Sequence, residues 1–132
     1  MYKRQASEPE AGALIDYLRQ VFPDQREPEL DALAPLDSQG VFIDIHSFGQ
    51  LVLWPWGMRA LNAPNQAQLS TLGRKFTFFN DYLPQRSSSL VSAAGATDDF
   101  AYGDLGVAAY TFELGTTFFQ SCLLYTSPSP RD

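Results

Sequence analysis

Two residues whose side chains could do chemistry stand at the ends of predicted strands. His46 is the only histidine of the chain and follows the alternating, β-branched run 41–45, and Glu113 lies near the end of the alternating run 107–114. Imidazole nitrogens bind metal ions and carboxylates transfer protons. Each residue also has an ordinary alternative, a structural histidine or an ion-paired surface acid. Their placement is a first indication of a site and does not name a reaction.

The elements that must position these residues follow from the spacing of apolar side chains. A helix is predicted after Ser7, the expected N-cap, and Pro9, and its apolar positions are Leu14, Ile15, Leu18, Val21 and Phe22. The other predicted elements are a central strand at 41–45, a short extended run at 51–54, a helix at 65–80, a loop or edge strand at 87–95, a helical turn at 97–103 and a strand at 107–114. Alternating strands and helices predict an α/β fold, in which ligands gather at the carboxyl ends of strands.

Composition limits the class of protein. The 132 residues are 45 % apolar, enough for the core of one domain or part of one. The net charge of −6, without a basic run, argues against nucleic-acid binding. The run 51–56 is far shorter than the roughly 20 apolar residues of a membrane helix, and no signal-peptide pattern opens the chain. A single cysteine, Cys122, excludes an internal disulfide and a cysteine-based zinc site.

The two ends of the chain are unlike the rest. Residues 2–5 can be encoded TATAAGAGACAG, and the reverse complement of that string encodes the start of segment 122–125. This symmetry predicts that residues 1–5 and 122–132 derive from a sequencing adapter, and that 6–121 is the native part, continuing beyond both breaks. The alternative is a pair of ordinary disordered tails. Codons in the source DNA that differ from these strings would exclude the adapter.

Two motifs resemble a known family. The stretch DIHSFGQLVLWPWG at 44–57 resembles the third zinc-ligand motif of the zinc metallocarboxypeptidases, the carboxypeptidase A/B family. The stretch GATDDFAYGDLGVAAYTFELG at 95–115 resembles the segment that leads to that family's catalytic glutamate. The order of the motifs and the helix between them also match. The resemblance implies the second half of the catalytic domain, a partial mixed β-sheet flanked by helices.

The resemblance assigns roles by position. His46 matches a zinc ligand, and Glu113 matches the general base and acid. The positions that match the pocket for the substrate's C-terminal side chain are Leu53, Gly57, Ala93, Asp98 and Thr111. Ser47 and Phe48 match positions that bind substrate backbone near the metal. Non-proline cis peptide bonds are implied at 47–48 and 55–56.

One zinc ion is the implied cofactor, and the implied substrate is the C-terminus of a peptide or protein. The upstream His-x-x-Glu ligands and the arginine that binds the substrate carboxylate are not in this chain, and Val91 occupies the position of a substrate-capping tyrosine. Asp98 at the base of the pocket implies a preference for C-terminal Lys or Arg. Asp98 could instead be a helix N-terminal acid, or Asp99 could point inward.

Other interpretations stay open. Asp44 shares a strand face with His46 and could orient it, or be an ordinary polar strand residue. Trp54 and Trp56 are predicted to pack in the core or at its rim, with a substrate platform as the alternative. The whole protein could instead cleave cell-wall or side-chain amides, or be an inactive binding homologue. A monomer without nucleic-acid or membrane partners is predicted, and the resemblance suggests a secreted or periplasmic location. The isolated chain is expected neither to bind zinc tightly nor to cleave peptides.

Overall fold

The computed structural model describes residues 8–119. Its elements are α1 (Pro9–Val21), β1 (Val41–Ser47), β2 (Leu51–Trp54), α2 (Gln66–Thr77), β3 (Leu83–Arg86), α3 (Ser87–Leu90), α4 (Thr97–Leu105) and β4 (Ala108–Leu114). Both predicted adapter segments and the predicted N-cap Ser7 lie outside the described residues. Glu8, and not the predicted Ser7, occupies the N-cap position of α1 and makes no side-chain capping bond, and Pro9 follows at the first helical position.

The four strands form one mixed sheet in the order β1-β4-β2-β3. Strand β4 is parallel to β1 and antiparallel to β2, and β2 is parallel to β3. The prediction of an α/β fold with a mixed sheet flanked by helices is therefore confirmed. No helix among residues 8–119 combines the length and the apolar character needed to cross a membrane.

The sheet separates two packed layers. On one side, α2 packs against Trp54 and Tyr110. Gly73 of α2 lies against the Trp54 ring, and a side chain there would place its Cβ only 2.8 Å from Trp54 Cε3. The Tyr110 hydroxyl donates to the Leu69 carbonyl at 2.8 Å. On the other side, Phe100 of α4 packs in a buried cluster with Leu18, Leu105 and Val107. The sheet residues that face α4 are therefore those available to form a site.

The prediction of a central strand at 41–45 was wrong in its placement. Strand β1 forms the edge of the described sheet, with β4 as its neighbour. Its odd-numbered apolar residues Val41, Ile43 and Ile45 are 44 %, 41 % and 57 % exposed, because α2 covers the neighbouring strands and not β1. The even-numbered residues of β1 face the opposite side of the sheet, toward α4.

Two local predictions between α2 and α4 also need correction. Residues 87–90 form the short helix α3 where a loop or edge strand was expected. Strand β3 was not predicted, because its sequence LPQR has no alternation of apolar residues and contains a proline. It pairs along one side of β2 and carries the chain to Ser87, which is buried under the site.

A buried arginine fastens the loop after α1 to the core. Arg26 is 6 % exposed, and its five guanidinium hydrogens meet five backbone carbonyls, those of Glu27, Glu29, Leu30, Ala32 and Gly103. The guanidinium also lies 5.7 Å from the ring centroid of Trp56 and 5.2 Å from that of Tyr102. Arg26 therefore joins the loop after α1 to the chain that follows β2 and to α4.

Replacement of Arg26 by Met is expected to destabilise the chain by about 3 kcal/mol, because the buried Gly103 carbonyl left without a donor costs about 1–3 kcal/mol and the four part-buried carbonyls also lose their bonds. Arg26→Lys should recover only part of the loss, since an ammonium group cannot serve five carbonyls at once. Urea unfolding of the chain measures both. Arg19→Met, which removes an exposed ion pair with Asp104, is the control and should cost less than about 1 kcal/mol. Equal losses for Arg26→Met and Arg19→Met would contradict this role of Arg26.

Candidate active site

His46 and Glu113 are neighbours in the structure. They stand opposite one another in the parallel register of β1 and β4, each at the carboxyl end of its strand. The His46 side chain is 51 % exposed, and Glu113 is half-buried. Desolvation raises the pKa of the Glu113 carboxyl, His46 opposes that rise and Asp44 adds to it. A carboxylate with a raised pKa beside an accessible imidazole is suited to proton transfer.

A cavity of about 300 Å³ opens beside this pair. It is bounded by β1, β4, the end of β2, α3 and the start of α4. Seven of the nine residues predicted for the site line it: His46, Leu53, Gly57, Ala93, Asp98, Thr111 and Glu113. The structure thus brings the candidate metal ligand, the candidate base and the candidate side-chain pocket into one space.

Ser47 and Phe48 do not line this cavity. Ser47 is the last residue of β1, and Phe48 is 51 % exposed just beyond it. The peptide bond between them is cis, as is the bond between Pro55 and Trp56. Both non-proline cis bonds that the resemblance implied are therefore present. The two tryptophans belong to the buried core, with Trp54 4 % and Trp56 0 % exposed.

Of the adjacent acids Asp98 and Asp99, Asp98 is the one that lines the cavity. It is 1 % exposed, and its Oδ2 accepts a hydrogen bond of 2.7 Å from the Ser87 hydroxyl. Burial raises the pKa of its carboxyl, and the bond from Ser87 partly offsets that effect. Among residues 8–119, no basic side chain forms an ion pair with Asp98. An ionised, buried carboxylate without a cationic partner would be stabilised by a positively charged ligand.

Asp99 has a different position from its neighbour. Its two carboxylate oxygens accept hydrogen bonds of 2.8 Å from the backbone N–H groups of Gly57 and Met58. Burial raises the pKa of Asp99 to about 6, against the lowering effect of these bonds. Asp99 thus holds the chain after β2 against α4, and this fixes Gly57 in the wall of the cavity.

Several residues of the cavity were not predicted from the sequence. They are Ser87, Leu90, Gly95, Ala96 and Thr97, and the structure also places Asp44 and Val91 in the lining. Most belong to the small, polar stretch that carried no periodic signal. The one available signal for Asp44 was its position two residues before His46, which puts both side chains on the same strand face.

The described residues fit one part of a zinc site. No group of three His, Cys, Asp or Glu side chains that could hold a metal ion occurs within residues 8–119. His46 offers an exposed imidazole with Glu113 beside it, the combination of one nitrogen ligand and one nearby carboxylate that a catalytic zinc uses. A zinc ion held at His46 would need its other protein ligands from outside the described residues.

The fold and this site define a class of protein, the α/β proteins with a histidine and a glutamate paired at the carboxyl ends of neighbouring strands, and comparison with known proteins gives the family. The family model of the zinc carboxypeptidases, peptidase family M14, matches residues 2–127. The chain belongs to the zinc carboxypeptidase family, as the two motifs indicated.

Individual relatives agree with the family. The chain is 35 % identical over 78 residues to a zinc carboxypeptidase of Saccharothrix mutabilis subsp. capreolus, covering 54 % of this chain and 18 % of that protein. It is 33 % identical over 98 residues to carboxypeptidase A1 of Rattus norvegicus, and the match covers 65 % of this chain and 22 % of that protein. It is 28 % identical over 124 residues to human carboxypeptidase B, and the match covers 84 % of this chain and 25 % of that protein. The chain thus spans about a fifth to a quarter of these relatives.

Solved structures support the same fold. The crystal structure of thrombin-activatable fibrinolysis inhibitor superposes with a TM-score of 0.64 at 26 % identity, covering 85 % of this chain and 26 % of that one. Carboxypeptidase A from Helicoverpa armigera has a TM-score of 0.62 at 21 % identity, and the match covers 89 % of this chain and 28 % of that one. This likeness concerns the fold alone. The sheet and helices described above are therefore part of a carboxypeptidase domain.

Proposed function

We propose that this chain forms the second half of the catalytic domain of a zinc-dependent exopeptidase that removes the C-terminal residue of peptides. The observation that carries the proposal is the pairing of His46 and Glu113 across parallel strands at the mouth of a cavity that contains the buried Asp98. Membership of the zinc carboxypeptidase family supports the reaction class. The proposal places the native part at residues 6–121.

His46 would be one protein ligand of the zinc ion, and the other two would come from outside this chain. A bound zinc ion would lower the pKa of its water molecule to about 7, so that a hydroxide able to attack an amide would be available near neutral pH. Glu113 accepts a proton from the attacking water and later donates it to the departing amine. The pKa of the Glu113 carboxyl is raised toward the working pH, so this group can accept the proton from water and hold it until it is donated to the amine.

The cavity beyond the pair would bind the side chain of the substrate's C-terminal residue. Leu53, Gly57 and Ala93 give it apolar or small walls. Thr111 stands opposite Leu53 in the sheet, two residues before Glu113 on β4. Asp98, buried and without a basic partner among the described residues, favours a C-terminal Lys or Arg. Ser47 and Phe48 lie next to His46, where they would contact substrate backbone.

The remaining parts of the proposal concern the whole protein. It would act as a monomer on peptide or protein C-termini, without nucleic-acid or membrane partners, in a secreted or periplasmic location. The 132-residue chain alone, with one candidate ligand of three, should neither bind zinc tightly nor cleave peptides.

The function is tested with the complete protein that supplies the rest of the domain. It is incubated with a peptide that ends in a free carboxyl group and with the same peptide ending in an amide, and mass spectrometry identifies the products. We expect release of one C-terminal residue from the free-acid peptide, loss of this activity with a zinc chelator and its return with added zinc. Cleavage restricted to cell-wall or side-chain amides, or no cleavage by the zinc-loaded protein, would refute the proposal.

A further inference from the structure

A buried serine lies between the sheet and Asp98, the acid proposed to select the substrate. Ser87 is the first residue of α3 and directly follows Arg86 of β3, which pairs with Trp54 of β2. Ser87 is 8 % exposed and lines the cavity beside Asp98. A Cβ built on Gly57 would lie 3.3 Å from the Ser87 Cβ, so the two residues are close neighbours. The position of the Ser87 side chain is therefore set by the sheet and by the chain that follows β2.

The Ser87 hydroxyl has two acceptors within reach. Its oxygen lies 2.7 Å from Asp98 Oδ2 and 3.1 Å from the Trp54 carbonyl oxygen, and both contacts are buried. A hydroxyl carries a single proton, so it donates to one of these acceptors at a time, while its lone pairs can accept a bond from another donor. Which acceptor receives the proton therefore depends on the state of Asp98.

The other oxygen of Asp98 already has a donor. Asp98 Oδ1 accepts a hydrogen bond of 2.9 Å from the backbone N–H of Asp99. When the carboxyl is ionised, Ser87 donates to Oδ2 and both carboxylate oxygens are paired. When Oδ2 binds a proton, Asp98 becomes the donor to the Ser87 oxygen, and the Ser87 hydroxyl turns to the Trp54 carbonyl. Both states thus avoid the cost of a buried polar group without a partner.

The charges around Asp98 determine which state is favoured. The titratable side chains near it are Asp44 and His46 on β1, Asp99 on α4 and Glu113 on β4. The part of the cavity lining that comes from β2 and α3 carries no charged side chain. Burial raises the pKa of Asp98 most, the bond from Ser87 opposes that rise more than any other contact, and the charge of Asp44 adds to the rise. Ser87 is therefore the contact that does most to keep this carboxyl ionised.

We propose that Ser87 is a positioning residue for substrate choice, whose hydroxyl donates to Asp98 while the acid is ionised and turns to the Trp54 carbonyl when the acid is neutral. The inference rests on the proposed function, in which ionised Asp98 binds a C-terminal Lys or Arg. It adds the group that sets how far the pH can fall before this preference is lost. The effect of Ser87 on the substrate passes through Asp98.

The first test measures substrate choice against pH in the complete protein. The kcat/KM values are determined for two peptides that differ only in a C-terminal Arg or Phe, and their ratio is plotted against pH. Loss of a donor to the ionised form raises the pKa of Asp98, so the pH at which the ratio falls to half of its plateau should rise by about one unit in Ser87→Ala. Ser87→Cys, with a weaker donor on a side chain of similar shape, should shift it in the same direction. A folded variant of either kind with the pH dependence of the wild type would overturn the inference.

Ser88→Ala is the matched control. The buried hydroxyl oxygen of Ser88 has no hydrogen-bond partner within residues 8–119, and Ser88 does not line the cavity. Its replacement should leave the ratio and its pH dependence unchanged. In an Asp98→Asn background the titrating group is gone, so Ser87→Ala should have no further effect on the ratio. A shift of equal size in Ser88→Ala, or an equal effect of Ser87→Ala with and without the Asp98 carboxyl, would overturn the role of the Ser87 hydroxyl.

A second measurement is independent of catalysis. The complete protein is labelled with ¹³C at the side-chain carboxyl of aspartate, and the Asp98 signal is identified by its loss in Asp98→Asn. Its titration, followed by NMR, should have a higher midpoint in Ser87→Ala than in the wild type and the wild-type midpoint in Ser88→Ala. Equal midpoints in the wild type and Ser87→Ala would overturn the inference at any level of activity.

The outcomes separate this inference from the proposed function. A complete protein that releases no C-terminal residue would refute the proposed function, and the titration of Asp98 would still decide whether Ser87 controls its charge. An active exopeptidase whose Arg-to-Phe ratio has the same pH dependence in the wild type and Ser87→Ala would overturn the role of Ser87 and leave the exopeptidase proposal standing.

Discussion

Replacement of Glu113 by Gln in the complete enzyme is expected to lower kcat by about 10²- to 10⁴-fold, the range for loss of a general base. The amide has nearly the same shape and cannot take a proton from water, so binding of substrate should change little. The register that places Glu113 beside His46 is the structural basis for the expectation. Steady-state kinetics with a peptide of free C-terminus measures kcat and KM separately.

Two controls accompany this variant. Glu29→Gln alters an exposed acid outside the cavity and should retain wild-type kcat. The zinc content of Glu113→Gln should equal that of the wild type, because Glu113 is proposed to transfer protons and not to bind the metal. A kcat within a factor of about three of the wild type, with full zinc content, would remove Glu113 from the reaction.

The second large effect concerns the choice of substrate. Asp98→Asn is expected to lower kcat/KM for a peptide ending in Arg by about 10- to 100-fold relative to the same peptide ending in Phe. The estimate follows from the loss of a hydrogen bond between charged groups, about 1.5–3 kcal/mol, at about 1.4 kcal/mol per factor of ten. The ratio of the two kcat/KM values is the measured quantity, so effects common to both substrates cancel.

Asp99→Asn is the matched control for Asp98→Asn. Asp99 accepts bonds from Gly57 and Met58 and does not line the cavity, so its replacement should affect both substrates alike. The wild-type ratio should also fall as the pH is lowered, because the raised pKa of Asp98 means that the carboxyl becomes neutral before an ordinary aspartate would. An Arg-to-Phe ratio unchanged in Asp98→Asn would show that this acid does not select the substrate.

Much of the site could be predicted from local sequence. The strands that end at His46 and near Glu113 carry β-branched or alternating apolar residues, and a position at the carboxyl end of a strand follows from where the pattern stops. The family resemblance supplied the cavity residues, and the two cis peptide bonds were implied in the same way. These features depend on short stretches of chain and on motifs of recognisable spacing.

Other features depend on partners that are distant in sequence. The parallel register of β1 and β4 joins residues more than sixty positions apart, and no local pattern determines it. The contact between Thr97 and Asp44 and the choice between Asp98 and Asp99 depend on how α4 lies on the sheet. The edge position of β1 was missed for the same reason, since apolar content cannot tell which strands a helix will cover. Arg26 gave no signal, because its partners are backbone carbonyls.

The zinc content of the complete protein tests the central claim, that His46 is a ligand of a catalytic zinc ion. Wild type and His46→Ala are purified in parallel, dialysed against the same weak chelator and analysed for zinc by mass spectrometry, with circular dichroism as a check on folding. We expect about one zinc ion per wild-type molecule, the stoichiometry of a single catalytic site, and at least about tenfold less in a folded His46→Ala variant. Equal zinc in the two proteins would contradict the assignment of His46 as a ligand.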